Sequence, residues 1–187
     1  MKIALIIILC LLFTANLASA QIAGQIVIAA DPNGLNCDIY DTAPGMLQVY
    51  VLHMFTPGAS GCQFSVNDSE VASDWVYLTE LVTVPFLSIG NARDGIAITY
   101  GGCSASPLMV LTLTYFGNGT AGSCSYLKIE ADPTASPPGI YVVDCVYPVP
   151  NLLTTTGGMA VVNPDGSCNC DVPAENTSWG QIKHIYK

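Results

Sequence analysis

The sequence predicts an all-β chain, a two-sheet antiparallel β-sandwich of about eight to nine strands with at most one short helix. Three observations predict it. In residues 95–100 the bulky Ile96, Ile98 and Tyr100 alternate with Ala97 and Thr99, the period of a strand with one buried face. Residues 108–116 repeat the pattern, with Met109, Leu111, Leu113 and Tyr115 on one side and Leu108, Val110, Thr112, Thr114 and Phe116 on the other. Turn-forming residues, drawn from 17 Gly and 12 Pro, separate short β-branched and aromatic runs throughout the chain, and no long helical pattern interrupts them.

Residues 1–20 read as a cleaved secretory signal. Lys2 gives a positive start, residues 3–13 an apolar core, and Ala18-Ser19-Ala20 a small-residue cleavage site before Gln21. The apolar run is short for a bilayer span, so no membrane span is expected once the signal is gone. Cys10 follows Leu9 rather than the small residue of a bacterial lipoprotein signal. Residues 21–172 are expected to form one sandwich domain, and residues 173–187 a polar C-terminal tail.

Within the domain, residues 25–30 make a first strand, and residues 31–45 form a loop whose Pro-Asn-Gly tolerates positive φ. Residues 46–56 make a long strand with apolar side chains on both faces, which places it deep in a sheet. A short strand over 62–66 follows. Residues 68–80 read as a short helix or an irregular crossover pinned by Trp75, Tyr77 and Leu78. Residues 81–89 return to strand character, with Pro85 calling for an edge or a break. After the pair at 95–116 come strands at 124–131 and 140–146, a connection over 148–158, a short strand at 159–162, and an Asn-Pro-Asp-Gly turn into 168–172.

Charge is sparse and acidic. Without Lys2, four basic residues (Arg93, Lys128, Lys183, Lys187) face 14 acidic ones, too few to neutralise a row of phosphates, so nucleic acid is excluded as a partner. Seven cysteines remain after Cys10 is removed. In an exported chain Cys37, Cys103, Cys124, Cys145, Cys168 and Cys170 are disulfide candidates, and Cys62, at the start of a strand-like run, is the odd one. Cys168-x-Cys170 is too tight for a zinc knuckle and has no second pair or nearby His.

The succession GIAITYGGC, an apolar strand ending TYFG, CSYLKI, ADPTASPPG, VVDC and NPDGSCNC resembles small secreted proteins of unknown function in environmental bacterial genomes, over residues 36–170. The resemblance implies an exported bacterial β-sandwich, similar in architecture to cohesin-type or immunoglobulin-like modules, and it implies no catalytic residues. Cys62 and the tail depart from the pattern. The sequons at Asn67, Asn118 and Asn176 would accept glycans in a eukaryotic secretory route and are chance in a bacterial one.

No nucleophile, zinc-protease or phosphate-loop motif occurs, and His53 reads as a core or sheet-face histidine. Asp31, Asn33, Asn36, Asp38 and Asp41 form a candidate calcium loop, although Gly34 comes early and no bidentate Glu closes it. Its bland counterpart is an acidic turn whose side chains hold their own backbone. Trp75 and Trp179 are candidates for stacking on sugars. The expected function is a secreted, non-enzymatic structural, adhesive or recognition module with an extracellular protein or glycan partner and no cofactor. A carbohydrate- or calcium-binding domain is the alternative, and an extracellular hydrolase ranks last.

Overall fold

The computed structural model describes residues 23–168 and Cys170, so the expected signal, the tail and Trp179 lie outside the described residues. Those residues are all β. Thirteen strands run β1 (Gln25–Ala29), β2 (Asp38–Ile39), β3 (Pro44–Met54), β4 (Ala59–Asn67), β5 (Trp75–Val82), β6 (Leu87–Asn91), β7 (Gly95–Ser104), β8 (Leu108–Asn118), β9 (Ser125–Glu130), β10 (Tyr141–Asp144), β11 (Leu152–Thr154), β12 (Thr156–Gly157) and β13 (Met159–Val162).

The first sheet has the order β12-β1-β3-β8-β5. The expected pairing of long central strands is β3 with β8, from Pro44↔Asn118 to His53↔Leu108. A bulge opposite Val51 and Leu52 places both Val110 and Leu111 in the interior. The second sheet is built on β4. Its first half lies between β10 and β7, its second half pairs with β9, and β6 continues beyond β7. Ile26, Val49, Val51, Leu111 and Leu113 of one sheet meet Phe64, Ile96, Ile98, Leu127 and Val142 of the other, the interdigitated core of a sandwich.

Residues 152–162 close one side. β12 pairs parallel with β1 in the first sheet while β13 pairs with β9 in the second, and between them Gly158 donates to Ile26 O and accepts from Ile129 N. A second parallel pair, β2 with β13, makes both sheets mixed rather than purely antiparallel. The expected strand count is low because these short strands sit inside stretches read from their turn residues as loops. The expected helix over 68–80 is corrected as well. Residues 69–74 are a turn, and Trp75–Val82 is strand β5, paired with β8 from Trp75↔Gly117 to Val82↔Leu111. Two-sided wetting misled the pattern, since the bulge between Tyr77 and Thr79 shifts the inward and outward positions.

The six candidate cysteines pair as Cys37–Cys170, Cys103–Cys145 and Cys124–Cys168, leaving Cys62 as a buried free thiol. Gly58 packs directly on the Cys103–Cys145 bridge. A Cβ there would lie 2.8 Å from Cys103 Sγ.

Cys62 belongs to a buried polar chain. His53, fully buried, places Nε2 at 2.8 Å from Ala23 O and Nδ1 at 3.1 Å from Tyr100 Oη. A carbonyl only accepts, so Nε2 carries the proton and Tyr100 donates to Nδ1. Tyr100 in turn meets the Cys62 thiol, which burial pushes up to about 12. Burial also holds His53 below its ordinary value of 6.5. Since the unfolded chain then binds a proton that the folded chain refuses, His53 contributes stability fully above pH 6.5 and loses it as pH falls further. In urea titrations, stability should fall as pH drops below that point, by at most about 1.4 kcal/mol per pH unit. His53→Gln, which keeps a donor for Ala23 and an acceptor for Tyr100, should flatten this segment of the profile.

Candidate functional site

Two rows of side chains lie in register across the outer face of the second sheet. The first is Leu87, Thr99, Gly61, Val143 and Leu152, and the second is Ile89, Ala97, Gln63, Tyr141 and Thr154. They face outward because their neighbours Ile96, Ile98, Cys62, Phe64 and Val142 face the core. Gly61 and Ala97 are too small to fill the middle of the rows. The result is a groove of about 610 Å³ with Leu87 and Ile89 on one wall and Tyr141, Val143 and Leu152 on the other. No charged residue lines it, in a chain with 14 acidic side chains. Leu87, Ile89 and Leu152 are 71%, 83% and 62% exposed.

The loop over 132–139 shapes one end. Asp132, buried, accepts from Thr134 N and Oγ1 at 2.7 Å each and from Gln63 Nε2 at 2.8 Å, while its own N–H donates to Gly139 O. Burial works against the Asp132 charge, and the hydrogen bonds from Thr134 and Gln63 outweigh it, holding the carboxyl below its usual range. Tyr141 lies under this loop and donates to Pro137 O at 2.7 Å. A side chain at Gly139 would strike the Tyr141 ring, with its Cβ 2.6 Å from Cζ. Loop and groove wall are thus fixed together.

The first sheet also turns an uncharged face outward, but a different one. Met46, Phe116 and Val76 lie side by side there, above Gln48, Thr114 and Thr79. These bulky side chains fill the surface where the second sheet has Gly61 and Ala97.

Of the candidate calcium residues, Asp31 and Asn36 hold the backbone of their own loop. Asp31 accepts from Asn33 N at 2.8 Å and Asn36 N at 2.5 Å, and Asn36 Oδ1 accepts from Asp38 N at 2.9 Å. The loop folds over the first sheet, with Gly34 against Leu52 and Met54. Asp41 belongs elsewhere. Its buried carboxylate accepts from Trp75 Nε1 at 3.0 Å, Gly119 N at 2.9 Å and Ala121 N at 3.2 Å. Among the described residues, the group of three His, Cys, Asp or Glu ligand atoms within 4.8 Å of one another is Cys124, Asp165 and Cys168, whose sulfurs form a disulfide. Hydrogen bonds from Ser123 and Ser167 lower the Asp165 carboxyl to about 2. The structure therefore does not gather Asp31, Asp38 and Asp41 into one cluster.

Trp75 is corrected as a sugar-stacking candidate. It is 4% exposed, packs at 5.3 Å from the Tyr115 ring and spends its N–H on Asp41. The groove itself escaped the sequence reading because its rows come from five strands. Bulky outward Leu87 and Ile89 on one strand, followed by small outward Ala97 and Thr99 on the next, were the one local signal.

No family model matches the chain, and no curated protein matches it. Among solved structures it is similar to a cohesin module from the Clostridium perfringens family 33 glycoside hydrolase, at 5% identity and a TM-score of 0.47, covering 75% of this chain and 98% of that one. It is also similar to a non-cellulosomal cohesin from the archaeon Archaeoglobus fulgidus, at 10% identity and a TM-score of 0.43, covering 87% and 96%. A third is the seventh ScaB type I cohesin from Pseudobacteroides cellulosolvens, at 8% identity and a TM-score of 0.42, covering 82% and 97%.

Proposed function

We propose that this protein is a secreted, non-enzymatic recognition module that holds an extracellular partner in the groove on the outer face of its second sheet. One observation carries the reading: a preformed, uncharged, partly apolar groove is left open on the surface of a strongly acidic chain. Apolar surface of this kind marks contact sites more often than bare solvent-facing sheet. Three disulfides and an apparent leader at residues 1–20 support an extracellular setting, and no described helix is long and apolar enough to cross a membrane.

The double variant Leu87→Asp/Leu152→Asp tests it, because both side chains are exposed and their replacement leaves the core untouched. Fluorescently labelled protein is titrated onto the outer surface of cells that secrete it. The variant should bind at least about tenfold more weakly with an unchanged melting temperature. Met46→Asp/Val76→Asp on the opposite face should bind as the parent does. Loss confined to the second variant would contradict the assignment.

A further inference from the structure

The groove has an unfinished wall. β6 pairs with β7 alone, and all five of its residues, Leu87-Ser88-Ile89-Gly90-Asn91, are exposed. On an edge strand, alternate residues point their N–H and C=O groups away from the sheet, ready to pair with another extended chain. Such edges are normally blunted by charge, lysine, proline or a bulge. β6 contains none of these residues and pairs without a register shift. Val84, three residues before it, is 84% exposed.

Charge distinguishes the two ends of this edge. Beside Asn91 lies a second cleft lined by Asp68, Arg93, Asp94 and Glu130. Arg93 is engaged with Asp68 at 3.1 Å. Asp94 accepts from the Asn91 amide at 2.9 Å and Glu130 from the Asn67 amide at 3.0 Å, and neither is in an ion pair among the described residues. The Asp94 charge stands at the end of an otherwise neutral edge, whereas Glu130 lies across β7 and β4 from it, on β9.

Resting on the recognition reading above, we propose that the partner is an extended peptide segment that adds to β6 as a further strand. Its backbone pairs with the free edge, alternate apolar side chains continue the wall begun by Leu87 and Ile89, and a basic residue at the end beside Asn91 meets Asp94. Backbone pairing supplies the affinity and the charged end fixes the register.

The probe is a fluorescein-labelled peptide, Lys-Lys followed by three Val-Thr repeats, titrated by anisotropy into the purified full chain, with hydrogen exchange read at residues 87–91. The peptide should bind and protect those amides. Methylating alternate peptide nitrogens, replacing the lysines by glutamates, or making Ile89→Asp in the protein should each weaken it at least about tenfold. The Ile89→Asp loss would occur although the new carboxylate attracts lysine, and Ile89→Val should retain binding. Equal binding of the methylated peptide, with the groove protected and residues 87–91 unprotected, would overturn strand addition while leaving the recognition face intact. Absence of binding at about 1 mM would overturn it too. So would concentration-dependent dimerisation that protects residues 87–91, which would give the edge to a second copy.

Discussion

Asp41→Asn is expected to lower the unfolding free energy by about 3–5 kcal/mol, although it changes one atom of a buried side chain. The carboxylate receives three N–H groups, from Trp75, Gly119 and Ala121, divided between its two oxygens. An amide has one accepting oxygen, so at least one donor would face the new NH2 group in a buried site. The residue also joins distant parts of the chain. Its N–H donates to Asn163 Oδ1 at 2.8 Å, and Asn163 Nδ2 reaches Ala121 O at 2.8 Å, so β2, β5, β8 and β13 all end on one polar knot. Thermal unfolding should shift down by roughly 10 °C for a domain of this size. Asp31→Asn, on an exposed turn, should shift it far less.

Removing the Cys37–Cys170 bridge by Cys37→Ser/Cys170→Ser should cost about 2–5 kcal/mol, the most of the three bridges. It joins residues 133 positions apart, against 42 for Cys103–Cys145 and 44 for Cys124–Cys168. Loop-closure entropy ranks it about 1 kcal/mol above the others. The same framework sets thiol reactivity. A thiol reagent at neutral pH should find no thiol in the folded protein and only Cys62 after denaturation without reduction, because Cys62 is buried and its thiol is pushed up to about 12. All seven cysteines from Cys37 onward should react after reduction. Equal loss from the three double variants would contradict the ranking.

What could be read from the chain was whatever one strand states by itself. The alternation of Ile96, Ile98 and Tyr100 foretold their burial, and the two-sided apolar run around Val51 and Leu52 foretold a central strand. Pro85 marked the break between β5 and β6, two edge strands. Failures came where a residue's role depends on a partner far away in sequence. Asp41 looked like a loop carboxylate because Gly119 and Ala121, its hydrogen-bond donors, lie in another turn. Trp75 looked available because Asp41 and Tyr115, which cover it, are equally remote. The groove was hidden for the same reason. Gly61 and Ala97 are unremarkable until β4 and β7 are set side by side.

A photo-activated crosslinking residue placed at Thr99, in the first row of the groove, tests the recognition face most directly, with Gln48 on the opposite face as its counterpart. Both side chains are exposed, so neither placement should disturb folding. Irradiated on the surface of cells that produce the protein, the Thr99 form should give one discrete adduct, absent from the Gln48 form and abolished by Leu87→Asp/Leu152→Asp. An adduct from Gln48 and none from Thr99 would contradict the account.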